Sequence, residues 1–426
     1  MAKKKEGSKI TQPIKAQTRE RIDEDIKKAL TDTSGNATSK LYDEVLLFAH
    51  AFRSSDIHLE PDKDEARIRL RIDGILHDYF TIPNELHHRI IALLKIRTHM
   101  RTDEHRAPQD GRDSFATATG TVDVRASVMP TNVGEKAVLR LLSSESHNLT
   151  LEQLGFEKKD YDVIIRAIHK PWGMILTTGP TGSGKTTTIY AILEILNKRS
   201  INISTIEDPV EFFISGVNQS QVDSSAKLTF AKGLRALVRQ DPDVIMVGEI
   251  RDEETAQIAV NAALTGHKLL STLHTNNAAT TIPRLLDMGV EPFLLASTLN
   301  AAVSQRLMRR ACEACRKKKE RSRADLEASL DEQTLELLFQ GKTKLQLIEV
   351  TGCAECNNTG YKGRVGIYEV MEVTEAIQKL IVKRVSSQEI EDMAVAEGMT
   401  TLIQNGVEKV REGETTIEEL IRVMKE

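Results

Sequence analysis

Aromatic residues are scarce in this chain of 426 residues, at 4%, with one tryptophan. Single-stranded nucleic acids are held largely by bases stacked on aromatic rings, so few platforms are available for them. No excess of positive charge makes up for this: 58 Lys and Arg stand against 62 Asp and Glu, a formal charge of -4. That balance argues against a protein whose main partner is a nucleic acid. Long apolar runs are missing, none approaching the ~20 residues that cross a bilayer. The basic start, Met1 to Lys5, is not followed by the apolar stretch of a secretion signal. These absences point to a cytosolic chain, with any membrane link made through a partner. Cysteine is rare as well, and all 4 cysteines fall in two C-x-x-C pairs, Cys312/Cys315 and Cys353/Cys356. In a reducing compartment such knuckles favour a tetrahedral Zn2+ site over disulfides. The competing reading is two unrelated redox or buried pairs. Four thiolates leave no open position for water, so the zinc would be structural and would pin the 316–350 excursion to its domain.

Against these absences stands one strong signal. Gly179, Pro180, Thr181, Gly182, Ser183, Gly184, Lys185 and Thr186 fit the phosphate-binding pattern G-x-x-x-x-G-K-[ST] at every fixed position. The apolar run Met174–Leu176 precedes it as a buried strand, and a helix-forming run from Thr187 to Asn197 follows. Glycines let the backbone N–H groups curl toward phosphate, and the helix N-terminus adds partial positive charge. Lys185 supplies a full charge, and the Thr186 hydroxyl can ligate Mg2+. A glycine-rich turn that binds nothing is the weak alternative.

The length implies two to four domains. Residues 1–40 are polar and charged and read as a flexible lead-in, with a short helix around Arg19 to Leu30. From Leu41 apolar residues recur at helical spacing. Ala66–Ile72 and Val122–Val128 alternate strictly, as half-buried strands do, and Asp73-Gly74 offers a hairpin turn. Arg67, Arg69 and Arg71 line one face of the first strand, either solvated or facing phosphates. Leu86 to Met100 reads as a helix and Pro108 to Arg112 as a turn carrying an arginine. Residues 41–145 therefore form a small α+β domain, with a polar linker at 143–148. Beyond it, apolar strands ending in polar chemistry alternate with helices: Met174–Leu176, Ile201–Ile206, Val244–Val247 and Leu269–Leu273. That alternation implies an α/β fold with a parallel sheet and right-handed crossovers, whose ligands bind at the strand carboxyl ends. Lys185, Glu207, Glu249 and His274 are expected to converge there. The domain spans 146–310. A tetracysteine module follows over 311–370, with a charged helix at 324–339 and a ribbon ending in Ile367–Met371. Three short helices, split near Ser386-Ser387 and Gly413, fill 371–426.

Phosphoryl transfer needs held phosphates, Mg2+, an oriented water and stabilising charge. Glu249, after the Val244–Val247 strand, is the candidate for holding Mg2+ through water. Glu207 is the candidate for orienting or deprotonating the attacking water, or else a helix cap or ion-pair partner. The two glutamates could exchange roles. His274 could donate to the γ-phosphate, whereas His267 could simply cap a helix; each is balanced between sensing and packing. Trp172 and Tyr190 flank the loop and read as core residues that could touch adenine.

Together these stretches resemble the secretion-superfamily ATPases that power type II secretion and type IV pilus assembly (the GspE/PilB family). The matching stretches are Ser54 to Pro61, Arg69 to Gly74, Pro108 to Arg112, the phosphate loop, Thr205 to Glu211, Asp241 to Asp252, Gly266 to Thr275 and the cysteine pairs. The resemblance covers residues 41–426. It implies a RecA-like P-loop NTPase core, flanked by a PAS-like N-terminal domain and a C-terminal zinc and helical module. It implies hydrolysis of ATP with Mg2+ by a homohexamer, peripheral at the inner face of the cytoplasmic membrane, beside a platform protein and the pilus or secretion machinery. Glutamate at the Mg2+-binding strand end fits the family's own pattern. Arg112 and Arg125 match N-terminal arginines that reach the nucleotide, and Arg235 and Arg239 match further arginines near it. Thr187 belongs to the same nucleotide-binding run. Retraction motors of the superfamily look similar without the four cysteines, so their presence favours the assembly or secretion branch. Family members often carry a folded domain ahead of this region that docks on a membrane-anchored partner; here residues 1–40 precede it. Two rivals remain: a RecA-like DNA motor, which DNA would stimulate, and a scaffold that binds ATP without hydrolysing it.

Overall fold

The computed structural model describes residues 19–31, 35–117, 120–142 and 149–425. It divides into two units, Met1–His147 and Asn148–Glu426. The 143–148 linker and residues 1–18 of the lead-in expected over 1–40 lie outside the described residues.

The first unit opens with helices α1 (Arg19–Thr31) and α2 (Asn36–Ala51). Strands β1 (Ser54–Glu60), β2 (Glu65–Ile72) and β3 (Ile75–Pro83) follow, then helix α3 (Asn84–Arg97) and strands β4 (Gln109–Ala116), β5 (Thr121–Thr131) and β6 (Gly134–Leu142). The six strands form one sheet in the order β3-β2-β1-β6-β5-β4, every neighbouring pair antiparallel. Strict alternation in β2 puts Ala66, Ile68, Leu70 and Ile72 into the core beneath the helices. The expected hairpin turn is there: Asp73 (φ 48°) and Gly74 (φ 88°) are both left-handed, as a two-residue turn between twisted strands requires. The lead-in expected to run to residue 40 is shorter. Ile22, Ile26 and Ala29 of α1 are buried in the same core as Leu41 and Phe48, so amphipathic spacing overrides the polar composition. Pro108–Arg112 is not a free turn, because Gln109–Arg112 is the start of β4. Gly111 is required inside that strand, since a Cβ there would lie 2.3 Å from the Thr98 carbonyl oxygen.

The second unit begins with helices α4 (Leu151–Leu154) and α5 (Lys158–His169). Strand β7 (Gly173–Thr178), helix α6 (Lys185–Leu196), strands β8 (Ile203–Glu207) and β9 (Val217–Gln221) and helix α7 (Phe230–Leu237) follow. Next come β10 (Val244–Val247), α8 (Glu253–Leu264), β11 (Lys268–Leu273), α9 (Thr281–Asp287), α10 (Pro292–Thr298) and β12 (Leu299–Ala311). The sheet order is β15-β12-β7-β11-β10-β8-β9, where β15 spans Tyr361–Glu372. All neighbours are parallel except β12 and β15. Strands β7, β8 and β10 are buried on both faces, the mark of a sheet covered by helices on each side. Met174 and Leu176 point into one core with α7, α8, α9 and α10, and Ile175 points into the other with α5 and α6.

Several boundaries differ from expectation. The ribbon assigned to the cysteine module is the β12–β15 pair, an extension of the main sheet, so only residues between those strands leave the domain. That excursion holds the two-stranded sheet of β13 (Arg316–Ser322) and β14 (Lys344–Val350), with helix α11 (Glu332–Phe339) between them. Helix α11 starts later than the expected 324, at an Asp331 cap that accepts the Thr334 N–H at 2.7 Å. The tail has four helices rather than three: α12 (Glu375–Lys383), α13 (Ser387–Ala396), α14 (Leu402–Arg411) and α15 (Ile417–Lys425). Gly398 (φ 103°) makes the unforeseen break. The tail is not a separate subdomain, because Ile377, Ile381 and Ile390 join the core of the sheet.

Candidate nucleotide site

Strand β7 ends at the phosphate loop, where Gly182 (φ 80°) and Gly184 (φ 89°) adopt the left-handed backbone that lets the loop curl. Helix α6 starts at Lys185, so its unpaired N–H groups face the loop. The Lys185 ammonium donates to the carbonyls of Gly179 at 2.8 Å and Pro180 at 2.9 Å. Burial lowers its pKa to about 8, with Arg306 adding to the effect and Glu249 opposing it. Gln305 on β12 braces the loop, its amide donating to the Ser183 carbonyl at 2.7 Å. Two atoms here, Ser183 Oγ and Gln305 Oε1, are buried with no hydrogen-bond partner. Buried polar atoms at a glycine-rich helix start suit an oxyanion with its waters. Thr186 and Thr187 are half-buried in the first turn of α6.

The neighbouring strand ends bring the other groups. Glu249, one residue beyond Gly248 at the tip of β10, accepts from Arg251 at 2.5 Å and lies 3.5 Å from His274 Nε2. His274 follows β11. Burial lowers its pKa and the Lys185 charge adds to this, which keeps the imidazole neutral. Thr178 laces the tips together: its hydroxyl donates to the Thr275 carbonyl and accepts the Thr275 N–H, both at 2.9 Å. Lys185, Glu249 and His274 therefore share one electrostatic environment. Arg251 was not singled out from sequence; its place two residues beyond the strand-end carboxylate is the signal that was available.

Glu207, at the end of β8, has different surroundings. Its side chain is buried, and both oxygens are occupied. Tyr190 of α6 donates to Oε2, while Thr205 at 2.5 Å and Gln219 at 3.2 Å donate to Oε1. Tyr190 is thus a buried partner of Glu207. Glu211, four residues on in the same loop, is only half-buried.

Other expected groups have surroundings of their own. Arg235 pairs with Glu254 at 2.6 Å, and Arg239 donates to the Arg235 carbonyl at 2.8 Å. His267 accepts the helix-cap role: its Nδ1 lies 2.9 Å from the Ala262 carbonyl oxygen at the end of α8. It precedes β11, at the strand end opposite to the site, as Trp172 does for β7. In the first unit, Arg112 and Arg125 are directly opposite one another on β4 and β5. Arg125 faces Arg140, and Arg140 faces Asp56, which pairs with it at 2.9 Å. Arg67 and Arg69 are paired with Asp62, Glu60 and Asp78.

The four cysteine sulfurs lie within 4.8 Å of one another. Cys312 and Cys353 are 3.9 Å apart, Cys315 and Cys356 3.8 Å, and Cys353 and Cys356 3.7 Å. A tetrahedron with ~2.3 Å zinc–sulfur bonds has edges of roughly 3.8 Å, so the donor set fits Zn2+. Burial opposes ionisation at Cys356, yet the Cys353 and Gly360 N–H groups bring its thiol down to about 7, poised as a ligand. Among the described residues no helix is long and apolar enough to cross a membrane.

A family described as type II/IV secretion system protein matches residues 32–422. The type IV pilus assembly ATPase PilB of Myxococcus xanthus is 45% identical over 386 residues, covering 90% of this chain and 67% of that protein. The type II secretion system ATPase E of Vibrio cholerae is 46% identical over 375 residues, covering 88% and 72%. Among solved structures, the pilus retraction motor PilT with bound ADP superposes with a TM-score of 0.61 at 28% identity, covering 89% of this chain and 96% of that one.

Proposed function

Because the chain belongs to the type II/IV secretion system protein family, we propose that it hydrolyses ATP as the motor of a type IV pilus assembly or type II secretion machine. The observation that carries this reading is the meeting of the phosphate loop, Lys185, Glu249 and His274 at one sheet edge. Lys185 would exchange the Gly179 and Pro180 carbonyls for phosphate oxygens. Thr186 and Glu249 would hold Mg2+, which neutralises phosphate charge when bound. Glu249, whose carboxylate has a route to solvent, is also the group best placed to polarise a water. Glu207 serves as a positioning residue instead, since a buried carboxylate that already accepts three donors is poorly placed to take a proton from water. His274, neutral and exposed beside Glu249, can donate to a terminal phosphate and report its presence. Arg112 and Arg125 would reach nucleotide phosphates as the chain works in a homohexamer. Arg235 and Arg239 would serve near the same nucleotide. The cysteines would hold a structural Zn2+. The motor would act from the cytoplasm, on the inner-membrane platform of its machine.

Phosphate release from Mg-ATP tests the reading. Lys185→Ala should abolish it while the chain stays folded, and an unchanged rate would refute the site. Turnover that appears only with DNA would favour the DNA-motor alternative, against which the charge balance and scarce aromatics speak.

A further inference from the structure

The loop that carries His274 is tied residue by residue to different parts of the second unit. Thr275 is laced to Thr178, just ahead of the phosphate loop. The Asn276 carbonyl accepts from Arg306 of β12 at 2.9 Å. The Asn277 amide donates to Glu391 of α13 at 2.9 Å. The Ala278 N–H donates to Glu369 at 2.7 Å. Glu369 is a carboxylate on the central stretch of β15, 2% exposed, a position where a charge is costly unless it does structural or functional work. Its second oxygen accepts the N–H of Leu402 at 3.2 Å, the first residue of α14. A carboxylate there satisfies one of the helix's unpaired donors and complements its dipole. One buried side chain thus clamps the His274 loop and the amino end of α14 together, although they are far apart in sequence.

Helix α14 leads onward. Leu402, Val407 and Val410 pack in one core with Leu335, Leu338 and Phe339 of α11, inside the cysteine-bound excursion. We propose that Glu369 is a positioning residue that transmits nucleotide occupancy at the His274 loop to α14 and through it to the excursion. This rests on the ATPase reading above. A rigid helix held at one end by a loop that nucleotide moves is the kind of two-state element such coupling requires.

Hydrogen exchange on the full chain, with and without Mg2+ and the non-hydrolysable ATP analogue adenylyl imidodiphosphate, tests it. In the wild type, the analogue should slow exchange at least threefold in both 179–190 and 402–411. Glu369→Gln keeps the shape but places an amide donor against an N–H donor. In that variant the 179–190 protection should remain and the 402–411 response should vanish, with kcat falling about tenfold at unchanged KM. Thr401→Ala is the control: it removes the α14 cap, and so loosens the helix, without touching the loop. It should keep the nucleotide response of 402–411. Loss of that response in Thr401→Ala, or its survival in Glu369→Gln, overturns the proposal, as does a wild type protected only at 179–190. A wild type with no protection at 179–190 would instead overturn the ATPase reading. If Glu369→Gln does not fold, Glu391→Ala, which releases Asn277 of the same loop from α13, should retain the response, and its loss would overturn the assignment to Glu369.

Discussion

Binding of ATP should draw a proton onto Lys185. The free amine's pKa of about 8 lies well below the ordinary 10.5, because burial penalises the ammonium and the Arg306 charge adds to this, with Glu249 opposing them. The unfolded state therefore holds more protons than the folded one between pH 8 and 10.5, and this group's contribution to unliganded stability rises with pH through that window. A bound triphosphate reverses the imbalance by favouring the ammonium. At pH 8.5 roughly three-quarters of the free sites are neutral, so nucleotide binding should take up about 0.7 protons. Affinity should weaken toward about tenfold per pH unit above pH 8. Titration calorimetry at pH 8.5 in buffers of different ionisation enthalpy reads the proton directly. Lys185→Arg, whose guanidinium stays charged, should bind with no uptake. Uptake below about 0.2 in the wild type would refute the buried-lysine argument.

Elemental analysis should find about one zinc per chain, and chelation should speed hydrogen exchange across β13 and β14; folded, metal-free protein would contradict the tetracysteine assignment. Tyr190→Phe removes a donor to a buried carboxylate and should cost about 2 kcal/mol, or roughly 4–8 °C in the thermal midpoint, and a shift under about 1 °C would show that Glu207 does not depend on it. Arg112→Ala should lower turnover by at least about tenfold while moving stability by less than about 0.5 kcal/mol, as for an exposed strand residue. Wild-type turnover would remove Arg112 from the reaction.

Much of this molecule can be read from local pattern. The phosphate loop is contiguous, so its spacing alone specifies it. Strands such as 66–72 alternate because one face is wet, and the strand ends of β8, β10 and β11 are marked by an apolar run meeting a titratable side chain. What stays hidden depends on distant partners. Strand β12 is buried on both faces yet carries Ser304, Gln305 and Arg306, whose side-chain donors reach the phosphate loop and the Asn276 carbonyl. Its pattern therefore reads as a basic exit from the domain. Glu369 on β15 hides for the same reason. Glu207 looks like a free acid because Tyr190 and Gln219, which occupy it, lie on other elements. Pro108 and Gly111 read as a turn, although Gly111 is there for a close approach to Thr98 within a strand.

The central claim is that a magnesium triphosphate is hydrolysed where Lys185, Glu249 and His274 meet. Glu249→Gln tests it most directly, because the substitution keeps size and removes the charge. With Mg-ATP saturating, phosphate release should fall at least about 100-fold while nucleotide still binds. Release at the wild-type rate would contradict the account.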